Sequence, residues 1–309
     1  MSEVMMQAIR AHDYGGPDVL VLEDAPRPQP GTGQLLVKVR AAGVNPADWK
    51  YRSGSYKQFM PLTFPWIPGL EGAGVVEALG PGVSAFKPGQ SVFGLFNAAY
   101  AEYALAAEGD LQPVPEYFSF EQAGSVPVGA LTAWGAVIEA ANVQKGQHIL
   151  VHGAAGGVGQ YVVQLARWKG AHVVGTASAG NLDFVRALGA ETAFDYRAAP
   201  FENLVRGLDA VIDTVGGDLA ERSFKVLRPD GLYVTVAGRL APDAGKAQGV
   251  RAQSVGRAKP ENLVKISELL QSNLVRPLAG TVFPLAQVRQ AHEKSQSGHG
   301  RGRIVLKIG

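Results

Sequence analysis

The chain has 309 residues, 29 Lys or Arg against 27 Asp or Glu, a formal charge of +2, and no cysteine. Roughly 100–200 residues per domain predicts two domains, and the balanced charge leaves no basic field for nucleic acid. No stretch reaches the ~18–20 consecutive apolar residues of a membrane span, the polar start M-S-E-V lacks a signal-peptide pattern, and the missing Cys excludes disulfides, thiolate chemistry and Cys-built zinc sites. The expectation is a soluble, cytoplasmic protein that acts on small molecules.

Residues 1–125 read as short apolar runs bounded by Gly15-Gly16-Pro17, Pro30-Gly31-Thr32-Gly33, Gly80-Pro81-Gly82 and Lys87-Pro88-Gly89. That is strand-and-turn chemistry and predicts a barrel-like β domain. From about 145 the period changes. Strands over 148–153, 171–177, 192–196, 208–215 and 231–238 alternate with helices over 157–170, 180–190, 201–207 and 218–229, which predicts a doubly wound parallel sheet. Val158, Tyr161, Val162, Leu165 and Ala166 fall on one helical face, and Gly189 stands where a left-handed helix cap is usual. Residues 239–260 read as a Gly-rich loop with a further strand over 251–257, 261–274 as an amphipathic helix, and 280–285 as another strand. The tail ends in a strand able to return to the first domain. The expected division is 1–125 with 285–309 as one unit, and 126–284 as the other.

Between the first parallel strand and its helix lies Gly153-Ala-Ala-Gly156-Gly157-Val-Gly159. Glycines let backbone amides approach a diphosphate at the positive end of a helix, and this run sits after a strand and before a helix, where that mechanism needs it. An acid about 20 residues on would bond the ribose of NAD and repel a 2′-phosphate. From Gln160 to Leu182 there is none, and the second strand ends Gly175-Thr176-Ala177-Ser178. NADP is therefore expected, with Thr176, Ser178, Asn181, Tyr196 and Arg197 as candidate contacts. Ser178 reads equally as a cap of the next helix.

The runs A-A-G-V-N-P-A-D (41–48), P-G-L-E-G-A-G-V-V-E-A-L-G-P-G-V (68–83), A-Y-A-E-Y (99–103), L-T-A-W (131–134), V-H-G-A-A-G-G-V-G (151–159), D-T-V-G-G (213–217) and the terminal R-G-R-I-V-L-K resemble the zinc-independent medium-chain dehydrogenase/reductases. Within them the chain is similar to the quinone oxidoreductase and enone reductase branch. The resemblance implies an α/β protein: a Rossmann-type sheet binding NADPH, a GroES-like β-barrel domain, a cleft between them, and a homodimer formed through the cofactor domains. Zinc-dependent relatives place Cys before the Asp of the first motif and His in Gly-His-Glu; here Asn45 and Leu70 stand at those positions, so no metal is expected.

The chemistry the resemblance implies is hydride transfer from NADPH to a quinone or an α,β-unsaturated carbonyl, whose oxygen takes the charge. By the same resemblance Asn45 lies near the nicotinamide ribose or the substrate carbonyl, and Thr132 near the nicotinamide. Ala155, Gly156, Gly157 and Val158 hold the diphosphate, Val215 covers the adenine side, and Ala237-Gly238 passes the nicotinamide. Lys50 either polarises the carbonyl, touches the ribose, or is a solvated lysine; Tyr51 is a candidate proton donor. Arg301 and Arg303 either reach the 2′-phosphate or are edge charges that discourage strand pairing. Tyr56, Phe59, Phe64, Trp66 and Phe96 suit a flat acceptor or fill the core. Enoyl thioester reduction, and NADPH binding without turnover, are the competing readings.

Overall fold

A computed structural model describes residues 4–256 and 258–309; the M-S-E part of the polar start and Arg257, the end of the expected 251–257 strand, lie outside the described residues. The first unit opens with a hairpin of β1 (Met5–Arg10) and β2 (Val21–Pro26), followed by the 11-residue β3 (Gln34–Val44) and α1 (Pro46–Arg52). It continues through β4 (Glu71–Leu79), β5 (Ser91–Leu95), β6 (Tyr103–Ala107) and β7 (Leu111–Pro113). Two short helices, α2 (Phe120–Gly124) and α3 (Pro127–Trp134), then lead across to the second unit.

The second unit runs β8 (His148–His152), α4 (Gly159–Trp168), β9 (His172–Ala177), α5 (Leu182–Ala187), β10 (Thr192–Asp195), β11 (Leu208–Asp213), α6 (Leu219–Phe224), β12 (Leu227–Thr235), β13 (Arg251–Ser254) and α7 (Leu263–Gln271). Its sheet is parallel throughout in the order β10-β9-β8-β11-β12-β13. Strand order reverses at β8, so a crevice opens beyond the carboxyl ends of β8 and β11. The chain then forms β14 (Ala279–Pro284), α8 (Val288–Gln296) and β15 (Arg303–Lys307).

β15 pairs antiparallel with β3, so the tail returns to the first unit as expected. β14 pairs parallel with β15. It therefore belongs to the antiparallel unit, and a boundary at 284/285 falls one strand too late. α4 is buried nearly all round, not on one face alone, because the segment after α7 covers its polar side: Gln164 accepts from the Arg276 amide at 2.8 Å and Gln160 from the Leu278 amide at 3.2 Å. The helix expected over 201–207 is one 3₁₀ turn, Phe201–Asn203. Pro200 opens it and Gly207, at φ +70°, turns the chain away, leaving too few residues to repay helix nucleation.

Candidate functional site

The turn 153–159 is built by steric necessity. Gly153 takes φ +67°, and a Cβ on Gly159 would overlap the Gly153 carbonyl, so strand and helix meet at backbone contact. The Ala154 amide is tied to the Thr176 carbonyl at 3.0 Å and the Gly156 amide to the Gly153 carbonyl at 2.9 Å. Among the described residues the amides of Ala155, Gly157 and Val158 have no protein acceptor. They stand at the start of α4, the geometry that binds a diphosphate.

Around this turn the strand ends supply the remaining contacts. Val215 is 59% exposed, and a Cβ on Gly153 would meet Thr214 Oγ1 at 2.6 Å and Val215 Cγ2 at 2.8 Å, so Val215 forms an apolar ledge beside the turn. Asp213, the first residue of the D-T-V-G-G run, to which the sequence pattern assigns no role, holds that ledge: its carboxylate accepts the Val215 and Gly216 amides and the Tyr233 hydroxyl. Ala237 and Gly238 follow β12, with the Ala237 amide fixed on Thr235 Oγ1. Beyond β9, Ser178 Oγ accepts from Asn181 Nδ2 at 3.0 Å, and Tyr196, half exposed, hangs from the Ala177 carbonyl with the Arg197 guanidinium 5.3 Å from its ring. The structure thus brings Ser178, Asn181, Tyr196 and Arg197 to one surface. Thr176 does not join them: it is buried and its hydroxyl pairs with His152 Nδ1 at 3.0 Å.

On the facing unit Asn45 caps α1, with Pro46 at the first helical position and Asp48 at the third. Its side chain is only 2% exposed. Nδ2 donates to Glu71 Oε1 at 2.8 Å and Oδ1 accepts from Arg303 Nη2 at 2.8 Å, so each amide atom has a buried protein partner. Arg303 also pairs with Glu71 and donates from Nε to the Ser125 carbonyl at 3.1 Å. This corrects the expectation that Arg303 reaches a 2′-phosphate: its charge is spent in a buried ion pair. Arg301 is exposed, with its guanidinium 5.1 Å from the Phe184 ring on α5, beside the Ser178 surface.

Behind Asn45 the wholly buried Asp48 accepts the Asn45 amide at 2.7 Å and the Tyr100 hydroxyl at 3.1 Å through one oxygen. Among the described residues its other oxygen has no partner. Burial, reinforced by the charge of Glu71, pushes its pKa up to about 7, against the pull of the Asn45 amide, the Tyr100 hydroxyl and Arg303. His152 moves the other way: burial pushes its imidazole down to about 4, and it serves as a neutral bridge between Thr176 and Ser223.

Lys50 is half-buried with Nζ 5.5 Å from the Trp49 ring. Tyr51 donates to Met60 Sδ at 3.3 Å and packs edge-on to Tyr56 at 5.2 Å. Phe59 is 77% exposed, and Arg239 of the parallel-sheet unit lies 6.0 Å from its ring across the cleft. Of the five aromatics expected to meet a flat acceptor, Phe96 is buried, and Phe64 and Trp66 pack on the same core; Tyr56 and Phe59 remain. Thr132 is half-buried and donates to the Val128 carbonyl one turn back at 2.7 Å.

The positions where zinc-dependent relatives carry ligands hold Asn45, bonded to Glu71 and Arg303, and Leu70, and no group of three His, Cys, Asp or Glu able to hold a metal occurs among the described residues. These residues do not fit a metal. They do fit a dinucleotide, through the three unaccepted amides at the start of α4.

The descriptions "Alcohol dehydrogenase GroES-like domain" and "Zinc-binding dehydrogenase" match residues 31–180 and 188–306. Mouse quinone oxidoreductase is 34% identical over 327 residues, covering 98% of each chain. The solved quinone oxidoreductase of Coxiella burnetii superposes with a TM-score of 0.91 at 35% identity, over 99% of this chain and 100% of that one. A mycobacterial protein solved with NADPH superposes at 0.89 with 30% identity, over 98% and 100%. No described helix is long and apolar enough to cross a membrane. With this fold, this turn and these relatives, the chain belongs to the medium-chain dehydrogenase/reductases, in their quinone oxidoreductase branch, and is an oxidoreductase.

Proposed function

We propose that the protein reduces quinones or enones with NADPH and without a metal. The observation that carries the reading is the pairing of an open dinucleotide turn with an amide side chain, Asn45, held by Glu71 and Arg303 where a metal ligand would stand. Bound NADPH would supply a hydride at its nicotinamide. With no Lewis acid, the acceptor must be electron-poor already, its own carbonyl oxygen taking the electron pair and then a proton from water. Ala155, Gly156, Gly157 and Val158 hold the diphosphate, Val215 covers the adenine, and the main chain at Ala237-Gly238, with Thr132 from α3, borders the nicotinamide. Ser178, Asn181, Tyr196 and Arg197 meet the 2′-phosphate, Arg301 standing by. Tyr51, Tyr56 and Phe59 wall the acceptor, and Lys50 approaches its carbonyl. The mouse and Coxiella quinone oxidoreductases and the NADPH complex of the mycobacterial neighbour support this assignment.

The test follows NADPH and NADH absorbance with 1,2- and 1,4-quinones, enones and an enoyl thioester. Consumption of NADPH with a quinone or enone, and much slower consumption of NADH, is expected. Turnover of the thioester alone would replace the acceptor class; tight NADPH binding with no turnover of any acceptor would make the protein a cofactor-binding sensor. We also propose a homodimer joined through the cofactor units, where β13 leaves the parallel sheet open; light scattering on the eluting protein tests it.

A further inference from the structure

We propose that Glu71 and Arg303 form a positioning pair that couples the diphosphate turn to the Asn45 side of the cleft, so that the seating of the cofactor and the geometry of the acceptor site are set together. The inference rests on the proposed role of the 153–159 turn. Arg303 spans both sides. Its Nη2 holds Asn45 Oδ1 and Glu71 Oε1, while Gly157 of the turn lies against its side chain so closely that a Cβ there would be 3.0 Å from Cδ and 3.2 Å from Nη1. Its neighbour Gly302 donates to the Ala155 carbonyl of the same turn at 2.9 Å.

Glu71 reaches the turn by a second route. Oε1 takes Asn45 and Arg303, and Oε2 accepts the Val128 amide at 2.7 Å, at the start of α3. One residue on, Gly129 lies against the Gly157 carbonyl, which a Cβ at 129 would meet at 2.9 Å. The turn is thus gripped from Arg303-Gly302 on one side and from α3 on the other, and both grips end on one carboxylate. Glu71 is itself possible only because Gly43 leaves the space: a Cβ there would overlap its carboxylate. All three side chains are nearly or wholly buried, so the pair is screened from water and its geometry is stiff. Energetic coupling between sites is carried by packed side chains and buried ion-pair networks, and this network bears on both the turn and Asn45. Neither Glu71 nor Arg303 touches the acceptor in this scheme; both act through Asn45, α3 and the turn.

The experiment compares wild type, Glu71→Gln, Arg303→Gln and the double variant by NADPH fluorescence titration and by hydrogen exchange of the 153–159 amides, with the β1–β2 hairpin as an internal control. Although Glu71 makes no contact with the turn, Glu71→Gln is expected to weaken NADPH roughly tenfold and to speed exchange at 153–159 while leaving the hairpin unchanged. Adding Arg303→Gln should produce little further loss, because Glu71→Gln already releases both grips from the carboxylate on which they end. Wild-type NADPH affinity and wild-type exchange in Glu71→Gln, or effects of the two substitutions that multiply, would overturn the coupling. Should Glu71→Gln not fold, Glu71→Asp keeps the charge but withdraws it by one methylene, and the same comparison applies. A wild type that binds no NADPH would defeat the functional reading alone; the exchange data would still decide the coupling.

Discussion

Asp48→Asn is expected to stabilise the protein at alkaline pH and not at acidic pH. The native carboxyl is wholly buried and titrates at about 7, against 3.8 for a free side chain. Between those values the folded state holds a proton that the unfolded state has released, so stability is lost as pH rises through that window and stays lost above it. About three pK units at 1.36 kcal/mol each give about 4 kcal/mol by pH 8. Asparagine keeps the shape and an acceptor for the Asn45 amide and the Tyr100 hydroxyl, but carries no charge to desolvate. Urea unfolding followed by tryptophan fluorescence at pH 5 and 8.5 should show the variant gaining on wild type by up to about 4 kcal/mol at the higher pH, with little or negative difference at the lower. His152 and His292, pushed down to about 4 and about 3 by burial, bend both curves downward in acid and cancel in the comparison. An offset identical at the two pH values would refute the reasoning.

Three further substitutions probe the cleft. Gly159→Ala places a methyl on the Gly153 carbonyl, and should abolish NADPH binding by titration and lower stability by about 1–3 kcal/mol in urea. Arg197→Ala should raise the NADPH Kd about tenfold or more while leaving NADH untouched; equal loss for both cofactors would remove Arg197 from the phosphate. Lys50→Ala should lower kcat without changing NADPH affinity if Lys50 meets the acceptor carbonyl, and an unchanged kcat takes it out of the mechanism.

What sequence could show here was local. The β/α alternation, the glycine turn and the strand-end positions of Val215 and Ala237 depend on neighbours a few residues away, and each stands where the pattern put it, except that the helix expected over 201–207 is a single 3₁₀ turn. The cluster behind Asn45 depends on register and on distance along the chain. Arg303 meets Glu71 across 232 residues and Asn45 across 258, and whether a strand residue points inward is decided by pairing with β3 that no local pattern encodes. Thr176 failed for a related reason: it still lies within β9, and its hydroxyl is taken by His152 of the neighbouring strand β8, 24 residues back. A signal for the cluster was present in the acids of Asn-Pro-Ala-Asp and Gly-Leu-Glu, which stand in otherwise apolar, strand-flanking runs where a charge needs a buried partner.

The charge count of that cluster bears on turnover as well as stability. Asp48, Glu71 and Arg303 sum to one negative charge when all are ionised and to none when Asp48 holds its proton. An acceptor taking up a hydride gains negative charge at its oxygen, and an ionised Asp48 behind Asn45 repels that charge through a medium that screens poorly. Turnover at saturating NADPH and acceptor should therefore fall as pH rises through about 7, where Asp48 gives up its proton. Asp48→Asn removes the titrating charge and should flatten the profile above 7. A wild-type profile that stays level to pH 9, or an Asp48→Asn variant that falls in parallel with it, would show that the charge behind Asn45 does not reach the reacting oxygen.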